Sequence, residues 1–283
     1  MNRSERRRAT LAVLFISCAI CLLFLFPSGE RPGHGLRIGV PDSAASLIIE
    51  YIVHEKMARG AAVVDRLDIY PTKDCCTSTS EWALASGDLQ MALLCPDAAE
   101  RLVRKDPRYE IAGPCMVNSD VAVVRSGKNR KPEKIGVAER RDLQIIMIKK
   151  LLGKESIIVP MLASAIPYAY EKRAVDGVVI DVLRGFLLEG EMLPLSGDRE
   201  DLVTYVLVVQ KSFKAHPLYC RFLTSYKEAQ DELRRDEVLA GVMRRYKHVE
   251  QIEERVKRWK QMNIRFTIPR DLCSQEERSL KVS

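Results

Sequence analysis

From Leu36 onward, short apolar runs alternate with helical stretches, and they do so in two series. The first series reads L-R-I-G-V, a helix over Ala44 to Met57, L-D-I-Y, a helix over Thr79 to Ser86, and L-Q-M-A-L-L. Strand and helix in that order require right-handed crossovers and a largely parallel sheet. The second series opens at I-G-V, after the polar, lysine-rich Lys128 to Lys134. It continues with a helix over Leu143 to Leu152, the strand I-I-V-P-M-L, a helix over Ile166 to Arg173, the strand G-V-V-I-D and a helix over Val182 to Glu189. An α/β fold of two lobes follows. Two β-rich runs, Ser119 to Gly127 and Val203 to Gln210, stand where the chain passes to the second lobe and returns, so the strands of Val121 and Val206 are expected to form a hinge.

Local chemistry agrees with the periodicity. Leu47, Ile48, Tyr51 and Ile52 share one face of the first helix, which leaves Glu50, His54, Glu55 and Lys56 for solvent. Asp42 or Ser43 stands where an N-cap belongs. Gly87 fits a helix C-cap, and Pro96 fits the first turn of a helix running from Asp97 to Lys105. After the second β-rich run, helices over Pro217 to Arg235 and Glu237 to Tyr246 are expected to pack on the first lobe, followed by a charged helix from Ile252 to Met262 that Trp259 anchors.

The N-terminus has the order of an export signal: Arg3, Arg6, Arg7 and Arg8, then an apolar stretch from Ala9 to Phe26. Its 18 residues suffice to cross roughly 30 Å of hydrocarbon as a helix. The basic side stays in the cytoplasm, which places everything after Pro27 outside. An uncleaved anchor over residues 9–26 is the reading adopted, and two alternatives stay open: lipidation at Cys18 in F-I-S-C, or cleavage near P-S-G. The expected division is export segment 1–26, tether 27–35, first part of lobe one 36–120, crossover strands and lobe two 121–212, return helices 213–250, and a C-terminal helix and polar tail 251–283.

The net charge of +7 is modest once the export arginines are set aside, and no aromatic-laced basic stripe accompanies it. Nucleic acid is not an expected partner. G-x-S-x-G, a phosphate loop and H-E-x-x-H are all missing, and His34, His54, His216 and His248 show no metal-ligand spacing. No enzyme activity and no cofactor are expected.

The sequence resembles the type II periplasmic solute-binding proteins from about Leu36 to Tyr246. The segments that carry the likeness are L-R-I-G-V, A-L-A-S-G-D-L-Q-M-A-L-L, P-E-K-I-G-V, V-D-G-V-V-I-D and A-H-P-L-Y-C-R-F-L, more in their order than singly. The branch it is most similar to takes sulfonates, nitrate, taurine and thiamine precursors. The resemblance implies a two-lobed clamp with a two-strand hinge. It also implies a small ligand held between the lobes, and delivery to a membrane permease and its ATPase of the ABC type. In cysteine usage the chain looks like a subgroup, the binding proteins of selenocysteine-assisted organometallic systems.

Six of the eight cysteines lie beyond the apolar stretch: Cys75, Cys76, Cys95, Cys115, Cys220 and Cys273. Fifteen complete pairings exist, and sequence does not choose among them. Cys75 and Cys76 fall between the second strand and its helix, Cys95 ends the third strand, and Cys115 follows the fourth apolar run, so three cysteine-bearing loops are expected at one cleft. Thiolates suit soft metals and metalloids, and the hydroxyls of Thr77, Ser78 and Thr79 with helix-start amides would lower thiol pKa values. Cys75 and Cys76 are therefore candidate ligands for a soft metal or organometal, with Cys95 beside them. The plainer reading, a buried apolar thiol or a disulfide half, weighs more for Cys95 and Cys115. Cys220 and Cys273 receive no role. Ser43, Thr77 and Ser78 at helix starts, and Arg140 and Asp181 from the second lobe, complete the candidate binding set; Glu139, Ala163 and Ser164 end strands beside them. Two other functions remain: the same fold holding a sulfonate, nitrate or pyrimidine without thiols, and an envelope thiol-redox protein.

Overall fold

The computed structural model describes residues 36–57, 60, 67–72, 83–125, 132–197 and 201–269. The export segment, the tether, Cys75 to Thr79, Trp82 and Cys273 lie outside these residues. No helix among the described residues is long and apolar enough to cross a membrane.

The strands in chain order are β1 (Leu36–Pro41), β2 (Leu67–Thr72), β3 (Met91–Leu94), β4 (Tyr109–Val117), β5 (Asp120–Val124), β6 (Lys134–Ala138), β7 (Ile157–Met161), β8 (Gly177–Asp181), β9 (Glu191–Pro194), β10 (Val203–Gln210) and β11 (Arg265–Phe266). They form two sheets, one per lobe, ordered β11-β4-β10-β3-β1-β2 and β7-β6-β8-β5-β9. β1 pairs in parallel with β2 and β3, and β6 in parallel with β7 and β8, as the two strand-helix series require. The inner strands β1, β3, β5, β6, β8 and β10 are largely buried because helices cover the faces of such sheets, whereas the edge strands β2 and β7 are partly exposed.

The passages between lobes are short. β4 ends at Val117 in the first sheet and β5 begins at Asp120 in the second, so the outward crossing is Asn118 and Ser119. The return runs from Leu195 to Leu202, ahead of β10. The Val121 strand thus lies within the second sheet and the Val206 strand within the first. The hinge is the pair of links that precedes them. Asn118, at φ 63, fastens these links: its Oδ1 accepts from the Leu202 amide at 2.8 Å, and its Nδ2 donates to Asp201 Oδ1 at 3.1 Å and Asn263 O at 3.0 Å. Next to it the Ser119 hydroxyl donates to Thr204 Oγ1 at 2.8 Å.

The helices are α1 (Ser46–Tyr51, extended by a π-helical turn Ile52–Met57), α2 (Pro96–Lys105), α3 (Asp142–Leu152), α4 (Ile166–Glu171), α5 (Val182–Gly185), α6 (Lys211–Lys214), α7 (Pro217–Leu233), α8 (Asp236–Lys247) and α9 (Ile252–Gln261). The π turn corrects one expectation. A regular helix would turn Glu55 and Lys56 to solvent, yet they are only 8% and 6% exposed. Bonding from i to i+5 advances the face by a residue and swings both inward. There Lys56 Nζ meets Glu228 at 2.7 Å and Glu232 at 3.0 Å, and Glu55 meets Arg245 and the Tyr246 hydroxyl. These contacts fix α7 and α8 to α1, on the first lobe as the sequence suggested.

The C-terminal region does more than pack there. Trp259 of α9 is buried beside Phe266, and β11 adds a strand to the edge of β4, which the sequence reading had left in a polar end. On its other side α9 reaches the second lobe, with the Arg255 guanidinium 5.1 Å from the centre of the Phe186 ring.

Two glycines show how backbone geometry governs substitution. Gly190 has φ +154, and a Cβ there would stand 2.6 Å from the Val124 carbonyl oxygen; Gly241, within α8, has nothing within 4 Å of such an atom. Gly190→Ala is expected to cost about 1–3 kcal/mol, whereas Gly241→Ala is expected to stabilise by about 0.5–1 kcal/mol through helix propensity. Urea unfolding of both variants measures the opposite signs.

Candidate functional site

Between the lobes lies a cavity of about 60 Å³. The first lobe contributes Pro41, Asp42 and Ser43 from the end of β1 and Tyr205 from β10. The second contributes its strand ends and helix starts: Asp120, Ala138, Arg141, Gln144, Ala163, Ile180, Asp181 and Arg184 among them. This is the crevice at the carboxyl ends of strands, where open α/β sheets bind ligands.

Asp120 and Asp181 are direct partners in the antiparallel β5–β8 register. Both are buried, at 3% and 9% exposure. Like charges directly opposite each other destabilise a sheet, so each carboxylate needs compensation. Asp120 receives it from Arg141 Nη2 at 2.6 Å and Gln144 Nε2 at 2.9 Å, although burial still raises its pKa. Asp181 receives two amides as hydrogen-bond partners and, at longer range, the Arg184 charge. Its two oxygens accept from the Ala44 N–H of the other lobe, each at 3.1 Å, and one also accepts from Leu183 N at 3.1 Å. Burial, with the Asp120 charge adding to it, pushes the Asp181 carboxyl up to about 7.

The bond from Ala44 corrects the expected helix cap. Neither Asp42 nor Ser43 caps α1. The residue before it, Ala45, has no side chain that can, and the Asp181 carboxylate arrives from the opposite lobe instead. The reciprocal contact also exists. Asp97 of α2, in the first lobe, accepts from the Leu143 amide at the start of α3 at 3.2 Å. Each lobe thus presents a carboxylate to the amides that open a helix on the other. A surface pair, Asp42 with Arg184 at 3.4 Å, and a bond of 3.0 Å from Arg101 to the Arg140 carbonyl, complete the closure. An exposed ion pair such as Asp42–Arg184 contributes at most about 1 kcal/mol; Arg141, 3.7 Å from Asp97 across the cleft, adds a buried pair.

Of the candidate residues, Ser43 and Asp181 line the cavity. Arg140 does not: it is exposed, at φ 61, and that left-handed turn brings Arg141 into the cleft in its place. Ala163 lines the cavity, while Ser164 and Glu139 are exposed. Cys75, Cys76, Thr77 and Ser78 lie outside the described residues. Cys95 precedes Pro96 as expected, but its thiol is fully buried in the core. Cys115 corrects the reading of a cleft loop. It lies inside β4, fully buried, where its carbonyl accepts from the Tyr226 hydroxyl at 2.8 Å and burial raises its thiol pKa strongly. Cys220, given no role, is disulfide-bonded.

Sequence reasoning passed over Asp120, Arg141 and Gln144. Asp120 carried a signal, as an acid entering the otherwise apolar run D-V-A-V-V.

These sheets, crossings and cleft define the two-lobed clamp of type II periplasmic binding proteins. Solved structures with this fold include the ligand-binding component of an ABC-type import system from Staphylococcus aureus with zinc bound, at TM-score 0.64, 14% identity, and coverage of 85% of this chain and 88% of that chain. The alkanesulfonate-binding protein SsuA of Xanthomonas axonopodis pv. citri, bound to MOPS, gives 0.62, 13%, 82% and 86% on the same measures. A nutrient-binding protein from Burkholderia cenocepacia bound to methionine gives 0.54, 13%, 71% and 95%. No family model and no curated protein matches the sequence.

The titration of Asp181 has a definite sign. Unfolded, an aspartate ionises near pH 3.9, about three units below the folded value. Between roughly pH 4 and 7 the folded chain therefore keeps a proton that the unfolded chain releases, and stability falls as pH rises through that window. Asp181→Asn keeps an acceptor oxygen for Ala44. We expect it to melt above the parent at pH 8 and level with it near pH 4, measured by thermal unfolding across pH.

Proposed function

We propose that this chain is the extracytoplasmic substrate-binding component of an ABC-type importer, which captures a small ligand between its lobes and presents it to a permease and its ATPase. The observation that carries the reading is the polar inter-lobe cavity, closed by contacts made by both lobes and bordered by a fastened hinge. The structures of the same fold named above, one the ligand-binding component of an ABC-type import system and two of them binding proteins, support it. Binding serves this role, not turnover. A ligand that meets both lobes shifts the population towards the closed clamp by its differential contact with the open and closed states.

Export and retention at the outer face of the cytoplasmic membrane, by residues 9–26, or release into the periplasm after cleavage, complete the proposal from the sequence. So does the narrower ligand class: a thiophilic or organometallic molecule held by Cys75 and Cys76. The burial of Cys95 moves that role onto the vicinal pair alone.

Full-length protein incubated with a small-molecule extract is expected to retain one species in native mass spectrometry and to contract in small-angle scattering. Retention of no small molecule by folded protein overturns the solute-binding reading. Phenylmercury is expected to raise the melting temperature of the parent and not of the Cys75→Ser/Cys76→Ser variant; an equal rise in both removes the thiol role.

A further inference from the structure

The buried charges of the cavity do not balance among the described residues. Asp120 and Asp181 are two carboxylates in direct register, and Arg141 is the one guanidinium buried with them. Arg141 is committed to Asp120 at 2.6 Å and stands 3.7 Å from Asp97. Asp181 forms no ion pair among the described residues, and its oxygens meet only the amides of Ala44 and Leu183.

A second observation is independent of charge. Gln144 and Ser43 line the same cavity at 3% and 4% exposure, and among the described residues Gln144 Oε1 and Ser43 Oγ have no hydrogen-bond partner. The Gln144 amide cannot be turned to relieve this, because its Nε2 donates to Asp120 at 2.9 Å. Its oxygen must therefore act as an acceptor. A buried polar atom left unpaired costs about 1–3 kcal/mol, which a ligand with the right donors recovers.

We propose that the ligand of this cavity is a small primary ammonium ion, of ammonium or methylammonium size, whose N–H groups donate to Gln144 Oε1, the Ser43 hydroxyl and the Asp181 carboxylate. The proposal rests on the solute-binding reading and names its substrate class. Size agrees: a cavity of about 150 Å³ holds benzene, so the 60 Å³ here suits a ligand of about two heavy atoms, the size of methylammonium, in the closed clamp. A metal ion fits less well, since no group of three or more metal-ligating side chains occurs among the described residues. An anion would meet Asp181 already seated on the Ala44 amide.

The charged and titratable groups around the cavity with Asp181 are Asp120 from β5, Arg141 from the start of α3, Asp42 after β1, Arg184 from α5 and Tyr205 from β10. With Asp181 pushed up to about 7, a proton competes with the cation for its charge. Affinity should then rise roughly tenfold between pH 6 and pH 8.

Isothermal titration of the full-length chain with methylammonium chloride at both pH values tests this. Tetramethylammonium chloride, sodium methanesulfonate, sodium nitrate and zinc chloride serve as comparisons. Expected are saturable methylammonium binding, roughly tenfold tighter at pH 8, no binding of tetramethylammonium, which has no N–H, and loss of binding in an Asp181→Asn variant that melts no lower than the parent at pH 8. Saturable binding of methanesulfonate, nitrate or zinc in place of methylammonium overturns the ammonium inference and leaves the solute-binding reading standing. Methylammonium binding that survives Asp181→Asn, or no response to any of the salts, also overturns it. The solute-binding reading itself stands or falls on the extract experiment, whatever these salts do.

Discussion

The geometry of the cleft depends on one side chain at the hinge. Asn118 stands at the outward crossing with its carbonyl oxygen on the amide of the return crossing and its amino group on Asp201 and the Asn263 carbonyl. Three separate stretches of chain are therefore referenced to one residue. The positive φ that Asn118 adopts is unfavourable for most side chains, and asparagine is among the few that tolerate it. Hydrogen bonds of this kind are directional, so the relative setting of the sheets is defined at the point where rotation between them begins. Everything across the cleft, from the Ala44–Asp181 bond to the Asp97–Leu143 bond, inherits its distance from that setting.

Closure is made from parts that are individually weak. Carboxylates on backbone amides, one surface ion pair, the buried Arg141–Asp97 pair and one arginine-to-carbonyl bond hold the lobes, while the groups that cost most to bury face the cavity between them. Stability is lost at the end of the β5–β8 pair, where two acids share a register, and functional sites commonly carry such local cost. The hydrophobic cores of the lobes are what permit it: strands such as Val121 to Val124 and Val178 to Ile180 are buried and support their charged ends rigidly.

Most of the architecture was legible because a period of strand and helix is a property of many residues at once. Two sheets, the parallel core, the Gly87 and Pro96 punctuation and the position of Ser43 and Asp181 at strand ends all follow from patterns spread along the chain. What escaped was set by single residues or by tertiary partners. The π turn after Tyr51 depends on acids and bases supplied by α7 and α8, nearly two hundred residues away, so Glu55 and Lys56 read as solvent-facing. No side chain caps α1, and the amide just before its N-cap is met by a carboxylate of the other lobe, which no local rule anticipates. Arg140 and Arg141 are indistinguishable in sequence, and one backbone angle decides which of them enters the cleft. β11 is two residues long and exists because β4 offers it an edge.

The last helix touches both lobes by contacts of different kinds. At its end the chain is bound to the hinge through Asn263 and Asn118, whereas at Arg255 it rests on the face of the Phe186 ring. A guanidinium over an aromatic face keeps its attraction across a range of lateral offsets, unlike an amide aligned on a carbonyl. One end of the helix is thus a pivot and the other a sliding bearing. Helix α9 therefore ties the hinge and the second lobe with unequal stiffness, rigid where hydrogen bonds set direction and tolerant of displacement where a charge lies over a ring.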